Sequence, residues 1–166
     1  MTSSPGAQVR APHPGSRTAA KVLFATFLVV AVGTFVWGFS VANKVRARAK
    51  ETDGALRSLA WACLCYAQDR SGAWPDSQES LVAAGDAWNQ ANLPIVGAWP
   101  ATRVEALAGM TAPSSADDAL KIGAVEFSPN RQESPRITAR GNPSGLDTLA
   151  VVNDWLTAYG HHSTAK

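Results

Sequence analysis

The sequence predicts an α+β protein with a single N-terminal transmembrane helix that continues into a long helix, followed by a small antiparallel sheet and a C-terminal helix. Three observations predict this fold. Residues 22–41 form an uncharged, mainly apolar run of about twenty residues. A helical pattern continues beyond this run, and no proline interrupts it before Pro75. Short apolar alternations at residues 122–127 and 136–140 predict two strands.

The 166 residues divide into four predicted segments. Residues 1–20 are rich in Ser, Pro, Gly and Ala and contain no acidic residue, which predicts a disordered tail. Residues 21–43 are predicted to be the transmembrane helix, residues 44–160 an extracytoplasmic domain, and residues 161–166 a second tail. The roughly 120 residues of the predicted domain are enough for one hydrophobic core.

The apolar run has the length of a membrane span, since twenty helical residues at 1.5 Å each cover roughly 30 Å. A cleaved signal peptide is an alternative, with Ser40-Val41-Ala42 as the cleavage site. However, the run is longer than the 7–15 residues of a typical signal-peptide core. A buried helix of a soluble protein is a second alternative. We expect a single-pass protein of the cell membrane, whose first partner is membrane lipid.

Small residues recur along the span at positions that lie on one row of a helix, with Val30 interrupting them. Small side chains allow membrane helices to approach each other closely. The row predicts a helix-packing face toward copies of the chain or toward other membrane subunits; its residues are Thr26, Thr34, Gly38 and Ala42.

After a charged stretch at residues 44–53, expected to be an exposed connector, the helix becomes apolar on almost every side between residues 59 and 67. Such a helix must be enclosed either by other structure or by copies of itself. We therefore predict an interaction helix, represented by Leu56, Leu59, Cys63 and Tyr66.

Two similar phrases follow, Gly72-Ala73-Trp74-Pro75 and Gly97-Ala98-Trp99-Pro100. Each is predicted to be a turn into a short helix, in which Trp74 and Trp99 pack as aromatic anchors. A pair of tryptophans that stacks on a ligand is the alternative.

Several helix boundaries are predicted from capping patterns. Ser71-Gly72 should end the long helix, Asp76 with Glu79 and Thr102 with Glu105 should form capping boxes, and residues 111–119 should be a loop. Ser144 with Asp147 should cap the last helix, which Gly160 should end.

No pattern that carries chemistry is apparent. Cys63 and Cys65 are expected to be small buried residues, and the histidines (His13, His161 and His162) lie in predicted tails. The net charge is +2, and the basic residues gather around the span, which indicates membrane flanks and not a nucleic-acid surface. We expect no enzyme activity, no cofactor, no metal site and no nucleic-acid partner.

The stretch from residue 56 to residue 77 resembles the type IV pilins and pseudopilins. In the phrase Tyr66-Ala67-Gln68-Asp69-Arg70-Ser71-Gly72-Ala73-Trp74-Pro75, a helix with a late Tyr ends in Gly, an aromatic residue and Pro. With the apolar span, the resemblance covers residues 22–81. It implies packing of the helix in a filament, or anchoring of an extracytoplasmic domain, and no catalysis.

The sequence departs from that family at the processing site. Prepilins have Gly-Phe just before the apolar run and Glu shortly inside it, whereas here Gly38-Phe39 lies at the far end and the run has no Glu. We therefore expect a permanently anchored pilin-like component. Lys/Arg counts on the two sides are nearly equal, so the cytoplasmic N-terminus is predicted from the resemblance alone.

Two further functions compete with the pilin-like hypothesis. One is a single-span accessory subunit of a large membrane complex, respiratory or photosynthetic. The other is a secreted ligand-binding domain that uses Trp74 and Trp99, which requires cleavage after Ala42.

Overall fold

The computed structural model describes residues 14–84, 92–95, 97–143, 145 and 147–164. In chain order its elements are α1 Pro14–Asp69, α2 Gln78–Ala83, α3 Arg103–Leu107, α4 Ala116–Ile122, β1 Gly123–Glu126, β2 Arg136–Ala139 and α5 Asp147–Thr164. The fold is mixed α+β and mostly helical. The predicted order of a long N-terminal helix, a small antiparallel sheet and a C-terminal helix is confirmed. The chain divides into two compact units, residues 1–43 and residues 44–166.

The bounds of α1 differ from the prediction at its beginning and agree with it at its end. Residues 14–20 are helical, so the predicted disorder is wrong for them, and residues 1–13 lie outside the described residues. At the other end, Ser71 and Gly72 take left-handed φ angles of 55° and 94°, which terminates α1 as predicted.

The second half of α1 is the centre of the domain core. Its side chains from residue 58 to residue 67 are buried on every side of the helix. The covering residues come from all parts of the domain and include Trp74, Leu81, Leu93, Trp99, Ala106, Leu120, Ile137, Val152, Leu156 and Tyr159. Of the two ways to enclose this apolar helix, the structure shows enclosure by the chain's own domain.

Burial in the domain begins earlier along α1 than predicted. Ala49, Thr52 and Asp53 are buried, although residues 44–53 were expected to be an exposed connector. Thr52 donates its hydroxyl hydrogen bond to the carbonyl oxygen of Arg48 at 3.0 Å, which satisfies this polar group inside the helix. The many charged residues of positions 44–53 predicted an exposed connector, but one side of this part of α1 already belongs to the core.

The sheet consists of β1 and β2 in antiparallel register, with Val125 opposite Ile137 and Gly123 opposite Ala139. The predicted strands are present but shorter than expected. The side-chain amide of Asn153 on α5 accepts from the Ile137 backbone N–H at 2.8 Å and donates to the Ile137 carbonyl at 3.0 Å. This amide therefore takes the place of a third strand at that position and ties α5 to the sheet.

The cap of α2 is not the predicted one. Ser77 is the N-cap, and it forms a reciprocal capping box with Ser80. Asp76, which was predicted to cap, pairs instead with the guanidinium of Arg131, and Trp74 donates its backbone N–H to the Arg131 carbonyl at 2.9 Å. The hydrogen bond from Arg131 lowers the pKa of Asp76. Long-range pairing with a later loop thus removes Asp76 from the helix end.

One of the two hydrogen bonds of the predicted capping box of α3 is present, and the other is replaced. The Thr102 hydroxyl accepts from the Glu105 backbone N–H at 3.3 Å. The Glu105 carboxylate, however, accepts from the backbone N–H of Ala101 at 2.8 Å and not from that of Thr102. The box is therefore shifted by one residue, and it still satisfies an N–H group ahead of the helix.

The predicted loop at residues 111–119 contains the start of α4. Ser115 is its N-cap, and the Ser115 hydroxyl accepts from the Asp118 backbone N–H at 3.1 Å. Lys121 first, then Ser114 and Ser115, donate to the Asp118 carboxylate and lower its pKa to about 2. This local network starts a helix in a segment whose small residues and proline had suggested a loop.

The last helix continues through Gly160 to Thr164, so the predictions that Gly160 ends it and that residues 161–164 are a tail are wrong. Two tertiary contacts hold the extra turn. The His162 ring lies 5.4 Å from the Trp99 ring, and Ser163 lies so close to Gly72 that a Cβ at Gly72 would overlap its hydroxyl. The proposed cap Ser144 is outside the described residues.

At Gly54, another part of the backbone packs so closely against α1 that there is no room for a side chain. A Cβ there would overlap the backbone carbonyl oxygen of Thr111. Alanine is favoured over glycine in a helix by about 1 kcal/mol, but overpacking costs about 1–3 kcal/mol. We expect Gly54→Ala to lower the free energy of unfolding of the domain by up to about 2 kcal/mol in denaturation of the full chain in micelles, whereas helix propensity alone predicts an increase.

Gly33→Ala is the matched control for this variant. Gly33 lies on the same helix, and nothing lies within 4 Å of a Cβ placed there. It should leave the unfolding of the domain unchanged. A stabilised Gly54→Ala protein would show that the close approach of Thr111 is not a constraint.

Candidate functional site

The main candidate site is the exposed apolar part of α1. Every described side chain from residue 18 to residue 48 is exposed, including Leu23 at 72%, Phe35 at 75% and Trp37 at 72%. Burying a large apolar side chain is worth about 1.5–3 kcal/mol, so a helix of such residues left in water is strongly unfavourable. Among the described residues, α1 is the single helix long and apolar enough to cross a membrane.

Two polar side chains within this stretch are satisfied by the helix itself. Thr26 donates its hydroxyl hydrogen bond to the Val22 carbonyl oxygen at 2.9 Å. Thr34 lies 2.9 Å from the carbonyl oxygens of both Val30 and Ala31. Because these hydroxyls bond back to their own helix, they can lie in an apolar medium without a partner chain.

The predicted packing row of Thr26, Thr34, Gly38 and Ala42 is exposed along its whole length. A Cβ placed at Gly38 would have nothing within 4 Å. The row is therefore open to a neighbouring helix, and its packing role stays a prediction.

The predicted interaction helix lies in a different environment. Leu56, Leu59 and Cys63 have no exposed surface, and Tyr66 is 5% exposed. These four side chains belong to the core of the domain, so a partner could reach them only if the domain opened. Periodicity identified their apolar stripe, but it could not identify what covers it.

The two cysteines are free thiols in the core. Burial, and then the neighbouring Cys65, raises the pKa of Cys63 far above its ordinary value. Burial raises the pKa of Cys65 to about 12, with Asp69 adding to the shift and Arg103 opposing it. Both thiols therefore stay protonated at neutral pH, and the thiol form is a poor nucleophile and metal ligand.

Trp74 and Trp99 are buried and contact the same tyrosine from α5. The Trp74 and Trp99 rings lie 5.8 and 5.2 Å from the Tyr159 ring, both edge to face. The indole N–H of Trp99 donates to the Pro94 carbonyl at 3.2 Å. Both tryptophans are thus packed in the core, as anchors are, and their rings are not open platforms on which a ligand could stack.

A cleft of about 390 Å³ lies beside this aromatic cluster, lined by Gln68, Ser71, Gly72, Pro94, Tyr159, His162 and Ser163. The Tyr159 hydroxyl donates to the Gln68 side-chain oxygen at 2.7 Å. Burial, followed by the nearby Cys65, raises the pKa of Tyr159. Among the described residues that line the cleft, Tyr159 and His162 are of the types used in general acid–base catalysis, and none is a carboxylate, lysine or arginine.

His162 was expected to be solvated in a tail, and that expectation is wrong. It is half-buried against Trp99 and lines the cleft. The sequence carried a signal for this, because residue 162 is three positions after Tyr159 and continues the face formed by Val152, Leu156 and Tyr159. The assumption that Gly160 ends the helix hid it.

Within the part of the chain that the structure describes, no three His, Cys, Asp or Glu residues are grouped as metal ligands are. Of the two acidic residues predicted to form a capping box, Asp76 pairs with Arg131 and Glu79 lies in the first turn of α2. Comparison with known protein families, curated proteins and solved structures finds no match to this chain.

Substitutions at Tyr159 distinguish packing from hydrogen bonding in this cluster. Tyr159→Phe removes only the hydrogen bond to Gln68 and should cost about 1 kcal/mol of unfolding free energy. Tyr159→Ala also removes the ring between the two tryptophans and should cost about 3–5 kcal/mol. Denaturation followed by tryptophan fluorescence measures both.

Thr157→Ala, an exposed change on the same helix, is the control and should stay within about 0.5 kcal/mol of the native protein. Equal losses in the Phe and Ala variants at residue 159 would contradict the packing role of the ring.

Proposed function

We propose that this chain is a single-pass membrane protein whose α+β domain is non-catalytic and serves as a structural or assembly component of a membrane complex. The observation that carries the proposal is the exposure of the apolar surface of α1 over residues 22–41. That length matches the hydrocarbon core of a bilayer, about 30 Å. Lipid is the solvent in which this surface is stable.

Membrane insertion can be tested with charged substitutions in the middle of the span. The double variant Val29→Arg with Val32→Arg should lose retention in the membrane after alkaline extraction, because each central arginine costs roughly 2.5–3.5 kcal/mol of insertion free energy. Val82→Arg with Val104→Arg is the matched control, since both valines are exposed in the domain. Equal retention of both variants would contradict anchoring by this helix.

The form of the proposal that we favour is a pilin-like or pseudopilin-like component of an envelope assembly. It is supported by the resemblance of residues 22–81 and by the role of α1, which supplies both the apolar span and the centre of the domain core. Because the chain lacks the prepilin processing pattern, the proposed component keeps its anchor.

The alternative is a single-span accessory subunit of a larger membrane complex. One observation favours it: the apolar stripe at Leu56, Leu59, Cys63 and Tyr66, which a filament would use between copies, is already covered by the chain's own domain. Contacts with other proteins would then be made through the span.

The proposed location is the cell membrane, with the domain outside the cytoplasm. This orientation follows the pilin resemblance. The basic residues Arg10, Arg17 and Lys21 precede the span and Lys44, Arg46, Arg48 and Lys50 follow it, so the charge balance is too even to set the direction. Protease protection of the domain in sealed vesicles would measure the orientation.

Association within the membrane should depend on the small-residue row. Gly38→Leu places a large side chain on that row and is expected to weaken association of the span while the domain stays folded. Ala25→Leu is the control, since Ala25 is also exposed and lies at least about 100° around the helix from every residue of the row. Cross-linking in membranes measures the effect, and equal association of both variants would exclude the row as the contact.

Extraction in mild detergent, followed by sizing and mass spectrometry, distinguishes the two forms of the proposal. A pilin-like component should appear alone or as a series of its own multimers. An accessory subunit should appear at a constant ratio with other proteins.

A further inference from the structure

A group of four cations follows the span, and we call Lys44, Arg46, Arg48 and Lys50 the basic collar. All four side chains are exposed. In the described part of the chain, none of them forms an ion pair, whereas Lys121 pairs with two aspartates and Arg131 with another. The first acidic residue of the whole sequence is Glu51, so no carboxylate precedes the collar. Four positive charges within seven residues are thus left without a protein partner among the described residues.

The spacing of the collar distributes its charges around the helix. Alternate residues of an α-helix point about 200° apart, and residues four apart share a face. Lys44 and Arg48 therefore lie on one side of α1, and Arg46 and Lys50 lie on the other. A protein that docks on one face would meet half of these charges. A planar layer of headgroups that surrounds the helix would meet all of them.

The depth of the collar also fits a headgroup layer. Lys44 follows Val41 by about 4.5 Å along the axis and Lys50 by about 13.5 Å, at 1.5 Å per residue. The headgroup region adds about 5–7 Å on each side of the hydrocarbon core. Helical side chains lean toward the N-terminus, which for residues after the span is the direction of the membrane. The long side chains of Arg48 and Lys50 can therefore reach back to the headgroups.

We propose that the basic collar binds the anionic phospholipid headgroups of the leaflet on the domain side, so that the span is surrounded there by acidic lipid. This inference rests on the proposed membrane anchoring. A basic residue at a membrane surface favours anionic lipid by about fivefold, and the collar offers four such residues around one helix.

The chain contains its own probe for this binding. Trp37 is the single tryptophan of residues 22–41, and the other five of the six tryptophans belong to residues 44–166. It is 72% exposed and precedes Lys44 by seven residues on the same helix. Lipids with brominated acyl chains quench a tryptophan only where they touch it inside the bilayer, so the quenching reports the lipids around Trp37.

The experiment places the full chain in vesicles in which either phosphatidylglycerol or phosphatidylcholine carries the bromine, at equal mole fraction. We expect the anionic lipid to be bound about fivefold more strongly at the sites around Trp37, and we expect the preference to fall as salt is raised. The variant Lys44→Gln, Arg46→Gln, Arg48→Gln and Lys50→Gln should bind the two lipids equally. Arg136→Gln with Arg140→Gln, two exposed arginines of the domain, should keep the native preference.

Equal binding of the two lipids by the native chain, or an unchanged preference in the collar variant, would overturn the proposal. If the collar variant does not fold, the native chain alone tests the proposal: a preference for anionic lipid that does not fall as salt is raised would overturn it. If no brominated lipid quenches Trp37 at all, the helix is not in the bilayer, and the proposed anchoring itself fails.

Discussion

The apolar surface of α1 is the constraint on which the rest of the structure depends. This helix is apolar on nearly all sides in two stretches, with the charged residues 44–51 between them. A helix of this kind cannot be stable in water unless something covers it. The second stretch is covered by the domain, and the first is exposed in the isolated chain. The two stretches thus need two different environments, one supplied by the domain and one by the proposed bilayer.

The elements that cover the second stretch are too short to be stable alone. The helices α2, α3 and α4 contain 6, 5 and 7 residues, and each strand has 4 residues. Isolated helices of that length and a lone two-stranded sheet are marginal in water. Their stability comes from packing on α1 and from a few long-range polar contacts, such as those of Asn153 with Ile137 and of Arg131 with Asp76.

The proposed structural role is supported by how the described domain uses its potentially reactive side chains. Both thiols are buried and protonated, Asp118 lies in the capping network of α4, and Asp76 pairs with Arg131. The exposed apolar span and the basic collar both lie on α1. Their position on this helix supports the proposed role of holding a domain at a membrane or beside another subunit.

The sequence by itself determined the order of the long helix, the two strands and the last helix, the length of the apolar span and the apolar character of residues 56–67. These features depend on composition and helical period, which are local properties of the chain. Only the tertiary structure decided that the domain itself covers Leu56, Leu59, Cys63 and Tyr66, that Asp76 leaves the helix cap for Arg131, and that α5 continues past Gly160 to place His162 on Trp99. Each of these outcomes depends on contacts between residues far apart in the chain, which a local pattern of caps and glycines does not record.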